Sequence, residues 1–299
     1  VVQTELVKIF RHAADRAPVA AILAVFAVDL AIYSTVDSVL WLLCWTVLGA
    51  IVKGHVCAWN HHHQHVPTFE STLLNRALEL VYGLQTGITS HTWVLHHVVG
   101  HHMNYLDQDR DESRWRARDG RVMGVVEYSL EVALTAYPRA YEVSKRFPRF
   151  RGPFLRMGAL TLAVVVGLVG YRPIPALFVF VLPMIVSLVL TSWATHSHHS
   201  GKPTSDHLLA SNNILHRGYN VLTGNLGYHT AHHVRPGLHW SKLPELHAKL
   251  EADIPDDCYL TPGFPWRLGQ TTAPRRPGRP DDVPASGAGA GSARVDRAA

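Results

Sequence analysis

Cysteine is scarce in this 299-residue chain, and Cys44, Cys57 and Cys258 form no CxxC or CxxxC pattern. That sets aside a disulfide framework and thiolate-bound structural zinc, and leaves packed, reduced thiols as the expectation. It also removes any sign of a fused ferredoxin-like module. Charge is thin too: 17% of residues are charged against 47% hydrophobic, an unusual balance for a soluble protein of this length. Residues 1–17 lack a short apolar core followed by a small-residue cleavage site, so no signal peptide is expected. There is no internal repeat. The formal charge of +5 is modest, and no nucleic-acid partner is expected.

What the chain has instead is long apolar runs. Residues 1–17 carry Leu6, Ile9, Phe10 and Ala13 at helical spacing among Lys8, Arg11 and Arg16, the pattern of a short interfacial helix. Four runs then reach the length of a membrane span, at about 18–36, 39–54, 154–171 and 174–195. Pro183 is tolerable inside the last. Asp29, inside the first, is expected to make a helix–helix hydrogen bond. Residues 70–95 are too polar to span and predict an interfacial or re-entrant helix. The domain therefore runs from 18 to 262, and the Pro-, Gly-, Ala- and Arg-rich tail, 263–299, reads as disordered. Lys and Arg split unevenly: three precede the first span, eleven lie in 58–153 and eleven follow the fourth. Lys53 and Arg156 sit at inner span ends, and only Arg172 falls in an outer turn. This bias places both termini and the middle loop in the cytoplasm. The expected fold is all-α: a multi-pass membrane protein with four transmembrane helices and a cytoplasmic histidine-rich helical cap. In a bacterium it would sit in the plasma membrane.

The 21 histidines are not gathered in a tag. They cluster at His61–His65, His96–His102 and His196–His199, each beside an apolar run, and at His229–His233 in the polar region that follows, all on one side of a four-span topology. His61 and His65 are an i, i+4 pair able to chelate one metal from a helix face; with the helix re-phased, His62 or His63 would take that place. His97 and His101 share a face, whereas His102 lies about 140° from His97 on an ideal helix. Two metals, or a distorted helix, would use all three. The fourth span adds His198 or His199, with His196 a further candidate, and the last cluster adds His229, His232 and His233. About nine imidazoles exceed what one octahedral ion accepts and suit two. A metal transporter or sensor is the competing class, but it would hold ligands near the bilayer midplane rather than at span ends.

The boxes HxxxH, HxxxHH and GYHTAHH, separated by paired spans, resemble those of the integral-membrane fatty acid desaturase and hydroxylase superfamily. The resemblance covers about residues 18–250. Its most specific stretch is Asn220–Leu250, NVLTGNLGYHTAHHVRPGLHWSKLPELHAKL, and Trp93 and Asn104 around the second box also fit. The resemblance implies a non-haem diiron centre that activates O2 with electrons from a separate ferredoxin, rubredoxin or cytochrome and its reductase. It implies oxidation of a lipid or fatty acyl chain to an alkene, or to an alcohol in a hydroxylase. The implied ligands are His61 and His65; His97, His101 and His102; His198 or His199; and His229, His232 and His233. Asn225 is a candidate for water-mediated support. The second box, HxxxHH, is that of alkane monooxygenases rather than the HxxHH of most desaturases. Asp107, Asp109 and Asp111 resemble an acidic patch that follows the second box, though they read as a solvated loop.

Overall fold

The computed structural model describes residues 8–261. Among them the fold is all-helical; pairing of extended chain is confined to isolated bridges such as Phe10 with Phe69. The expected interfacial helix lies partly outside the described residues. Where it enters them, Ile9–Arg11 is extended, exchanging backbone hydrogen bonds with Thr68 and Glu70, and helical backbone starts at Ala13. The tail expected to be disordered lies outside the described residues.

Among the described residues, four helical segments are long and apolar enough to cross a membrane: Ala13–Thr35, Val39–His65, Pro148–Tyr171 and Pro173–His199. They are built from α1 (Arg16–Thr35), α2 (Val39–His65), α5 (Pro148–Tyr171), and a compound span of α6 (Pro173–Ala176), a π-helical stretch (Leu177–Val181) and α7 (Leu182–His199). Their outward faces are bare hydrocarbon, as at Leu40, Trp41, Val47, Leu162 and Val166. A span of 27 residues is about 40 Å long, roughly 10 Å more than a bilayer core. The surplus turns of α2 and α7 therefore carry His61–His65 and His198–His199 past the apolar zone without a break. The second span extends beyond the expected 39–54 because no breaker intervenes until Val66, which turns extended before Pro67.

Lys53 does not sit at an inner span end. It is fully buried, with Nζ 2.9 Å from Asp29 Oδ1 and donating to Val179 O at 2.8 Å. The cause lies in Pro183. Having no N–H, it cannot bond the carbonyl four residues earlier, and that carbonyl, Val179 O, is the one Lys53 takes. Thr46 Oγ1 likewise donates to Phe178 O at 2.7 Å. Trp45 Nε1 adds a 2.9 Å bond to Asp29, so the expected interhelical hydrogen bond of Asp29 is there, joined to an ion pair.

The stretch 70–95 divides in two. α3 (Thr72–Thr86) starts at Ser71, whose hydroxyl accepts from Leu74 N, and stops at Gly87 with φ +70°. A Cβ on Gly87 would lie 2.7 Å from Met184 O, so glycine is required there. Val94–Val99 then forms a π-helix. α4 (Val125–Arg146) covers it, packing Ala140 and Val143 against Leu95 and Val99. Short helices α8 (Arg217–Thr223), α9 (His229–Val234) and α10 (Leu243–Leu250) complete the cap.

Candidate metal centre

Each cluster is delivered by a different local device. The end of α2 presents His61 and His65 one turn apart. The π-helix widens the next turn, so the His102 amide bonds the carbonyl of His97, five residues back, at 2.9 Å. That rotation brings His102 Nε2 to 3.0 Å from His97 Nε2 and turns His101 the other way. Gly100 is essential to it, since a Cβ there would stand 2.4 Å from His96 O. α9 is pinned by its second residue: Thr230 Oγ1 bonds Ser211 Oγ at 2.9 Å and accepts from Asn213 Nδ2 at 2.8 Å, while Thr230 N donates to Asn213 Oδ1.

Among the described residues the outcome is two groups of imidazoles, all buried except the half-buried His65 and His102. His61, His65, His97, His102 and His232 form the first, and His101, His199 and His233 the second; within each, the ligand nitrogens lie within 4.8 Å of one another. His229 borders the second, its Nε2 being 2.9 Å from that of His199 and 3.2 Å from that of His233. The groups abut: His102 stacks on His233 at 4.2 Å between ring centres. The helix distortion expected at the second box is thus a π-turn, and it splits the box between both groups.

The residues fit metal ions. A neutral imidazole Nε2 carries one proton or one lone pair, not both. Yet His97 Nε2 lies 2.9 Å from His61 Nε2 and 3.0 Å from His102 Nε2, and His199 Nε2 lies 3.2 Å and 2.9 Å from those of His101 and His229. Such a nitrogen cannot hydrogen-bond both neighbours with a single site. A cation among the lone pairs resolves the conflict. Burial, reinforced by the neighbouring imidazoles, holds His97, His102, His229, His232 and His233 well below the usual histidine range. They are therefore neutral near pH 7, the form that binds metal. Two rings are also oriented from behind. His101 Nδ1 donates to Asp111 Oδ1 at 2.8 Å and His199 Nδ1 donates to Ala210 O at 3.0 Å, which leaves each Nε2 as the lone-pair atom. An all-nitrogen set with no thiolate or carboxylate suits a first-row transition metal.

Other expected residues lie elsewhere. His198 stacks on His229 at 4.0 Å, but its Nδ1 donates to Asn212 O and its Nε2 meets the Tyr219 hydroxyl at 3.1 Å. His196 bonds Met123 O, His62 bonds Thr223 O, and His63 sits between Thr68 and Glu79. Asn225 shapes the backbone instead, taking φ +60° in the turn before α9 and donating to Trp240 O at 3.3 Å. Asp111 is not in a solvated loop. It is 2% exposed and also accepts from Ser113 N, whereas Asp107 is exposed. Sequence reading missed its role because three aspartates two apart look alike until one is buried.

A small cavity of about 40 Å³ touches the first group at His97 and runs between Ile88, Trp93, Val132, Ala136 and Leu188. Trp93 Nε1 and His96 Nε2, both beside it, have no hydrogen-bond partner.

The model of the fatty acid desaturase family matches residues 38–263, a stretch that holds both histidine groups. No curated protein matches the chain.

Proposed function

We propose, from the premise that this chain belongs to the fatty acid desaturase family, that it is an O2-dependent desaturase of acyl lipids with two irons in its two histidine groups. His61, His65, His97, His102 and His232 would hold one, and His101, His199, His229 and His233 the other. The observation that carries the reading is the pair of largely buried all-imidazole groups, abutting, with His97 open to an apolar cavity. Iron there would supply chemistry that no side chain of the chain can: reduction of O2 and removal of hydrogen from an unactivated C–H bond.

The protein's own part is positioning. Ile88, Val132, Ala136 and Leu188 keep water from the cavity beside His97 and offer a hydrocarbon chain its apolar wall. Asp111 and Ala210 O hold His101 and His199 with Nε2 inward. No separate acid or base is assigned. Electrons come from a separate ferredoxin, rubredoxin or cytochrome, and the distribution of Lys and Arg supports placing the histidine side in the cytoplasm.

The HxxxHH spacing favours one second reading, a hydroxylase on the same scaffold. Metal analysis of detergent-purified protein comes first: about two irons per chain is expected, and bound zinc with little iron would sink both readings in favour of a metal-handling protein. Lipid profiling of a host expressing the chain with a donor then separates alkene from alcohol.

A further inference from the structure

A cavity of about 410 Å³ lies beside α5, in the size range of small-molecule sites. Phe154, Gly158, Thr161 and Val165 of α5 line it, facing Tyr137 of α4 and Met184 of α7. Two more of its α5 residues, Leu155 and Leu162, are 47% and 64% exposed, as residues against hydrocarbon are in a spanning helix. α4 continues this surface, because Val126, Leu130 and Leu134 form an exposed stripe at i, i+4 spacing that leads toward Tyr137.

The outer cavity adjoins the inner one beside His97. Consecutive residues line the two: Ile88 and Ala136 the inner, Thr89 and Tyr137 the outer. On α7, Leu188 and Met184 do the same one turn apart. The partition centres on Tyr137, whose hydroxyl donates to Gly87 O at 2.7 Å and accepts from Thr89 N at 3.2 Å. With a longer contact to Thr89 Oγ1 at 3.5 Å and one ring neighbour, Phe154, at 6.3 Å between centres, the partition is a single half-buried side chain.

We propose that the outer cavity is a lateral portal through which the acyl chain of a bilayer lipid reaches the inner cavity, with Tyr137 as the movable partition. This rests on the reading of the site as one that oxidises a hydrocarbon chain. The occupant is a membrane lipid, rather than a thioester arriving from water, because the lining is apolar, it is carried by a membrane span, and its neighbours face the bilayer.

The full-length protein in lipid nanodiscs, doped with a phosphatidylcholine bearing a diazirine on its acyl chain, is photolysed and its adducts are mapped by mass spectrometry. Adducts are expected on Phe154 and Thr161, which are 6% and 3% exposed and so sheltered from surrounding lipid. A Cβ on Gly158 meets nothing within 4 Å, so Gly158→Phe grows into the cavity and is expected to abolish those adducts. Gly158→Leu fills the same space if the larger side chain impairs folding. Gly167→Phe, equally unobstructed but away from the cavity, is expected to keep them. Missing adducts at both buried positions in the wild type, or unchanged adducts in the Gly158 variants, overturn the portal. Lipid product is followed in parallel. Product without the labelling pattern rejects the portal alone, whereas the labelling pattern without product rejects the oxidase reading and keeps a lipid site.

Discussion

Removing the ammonium group of Lys53 would strand a carboxylate. Both members of the Lys53–Asp29 pair are 0% exposed, so water cannot take the vacated place. In Lys53→Met, Asp29 keeps neutral donors such as Trp45 Nε1, and Val179 O loses its 2.8 Å donor. Breaking a buried pair from one side costs about 3–5 kcal/mol. The double variant, Asp29→Leu with Lys53→Met, leaves only neutral groups unpaired, the Trp45 indole and the Val179 carbonyl, at about 1–3 kcal/mol each. Additive singles would give roughly 6–10 kcal/mol, so the double variant should be several kcal/mol more stable than additivity allows. Distant, independent sites depart from additivity by only about 0.5 kcal/mol. The assay is SDS-driven unfolding in mixed micelles on all four proteins of the cycle. A Lys53→Met variant as stable as the wild type, or strict additivity, would refute the account of the pair as a mutually dependent buried charge.

Three further outcomes are expected. Asp111→Asn should weaken metal binding about 10–100-fold at the second group only; iron titration that shows equal loss from both groups, or none, counts against the orientation argument. His198→Ala should keep about two irons per chain, since that ring's Nε2 is taken by Tyr219, whereas His232→Ala should lose metal from the first group and all product; loss of a full iron in the His198 variant would return His198 to the ligand set. Stability should fall in acid. Burial, helped by Arg76, pushes His91 down to about 4, and the unfolded ring titrates near 6.5, so the unfolded chain binds more protons between those values. The stability present above pH 6.5 is lost as pH falls through 6.5 toward 4, by up to roughly 3 kcal/mol for this one ring. His91→Asn, which tolerates the φ of +63° at this position, should flatten that part of the profile in thermal unfolding; an unchanged slope would reject it.

The spans were legible because a bilayer imposes its thickness on sequence, and runs such as Val39–Val52 and Ile174–Thr195 have few other uses. Convergence of the histidines was legible in part for the same reason, since His61–His65 and His196–His199 end such runs, whereas His96–His102 and His229–His233 lie outside them and were brought to the same side by the topology. Their division was not. The choice of His199 over His198 for the second group depends on which Nδ1 finds which carbonyl, and both carbonyls belong to a loop about a dozen residues on. Asp111 differs from Asp107 only in being folded inward. Lys53 looked like a charge at a membrane boundary because its partner carbonyl is freed by a proline about 130 positions later. Long-range pairings of this kind leave no periodic trace.

The π-turn at Val94–Val99 makes motif length and helix type interchangeable. A π-turn holds one residue more than an α-turn. Deleting Val99 and letting the segment relax to an α-helix would convert the His97–His102 pair from five residues apart to four, and His97–His101 from four to three. The box would then spell HxxHH, yet one histidine would still turn toward each group. Members of a family with either spelling can thus share one arrangement of nitrogens, the extra residue being absorbed as a bulge whose presence is betrayed by the glycine that permits it, here Gly100. Aligning such boxes by letter count would pair the wrong histidines; aligning them by hydrogen-bond pattern would pair the right ones.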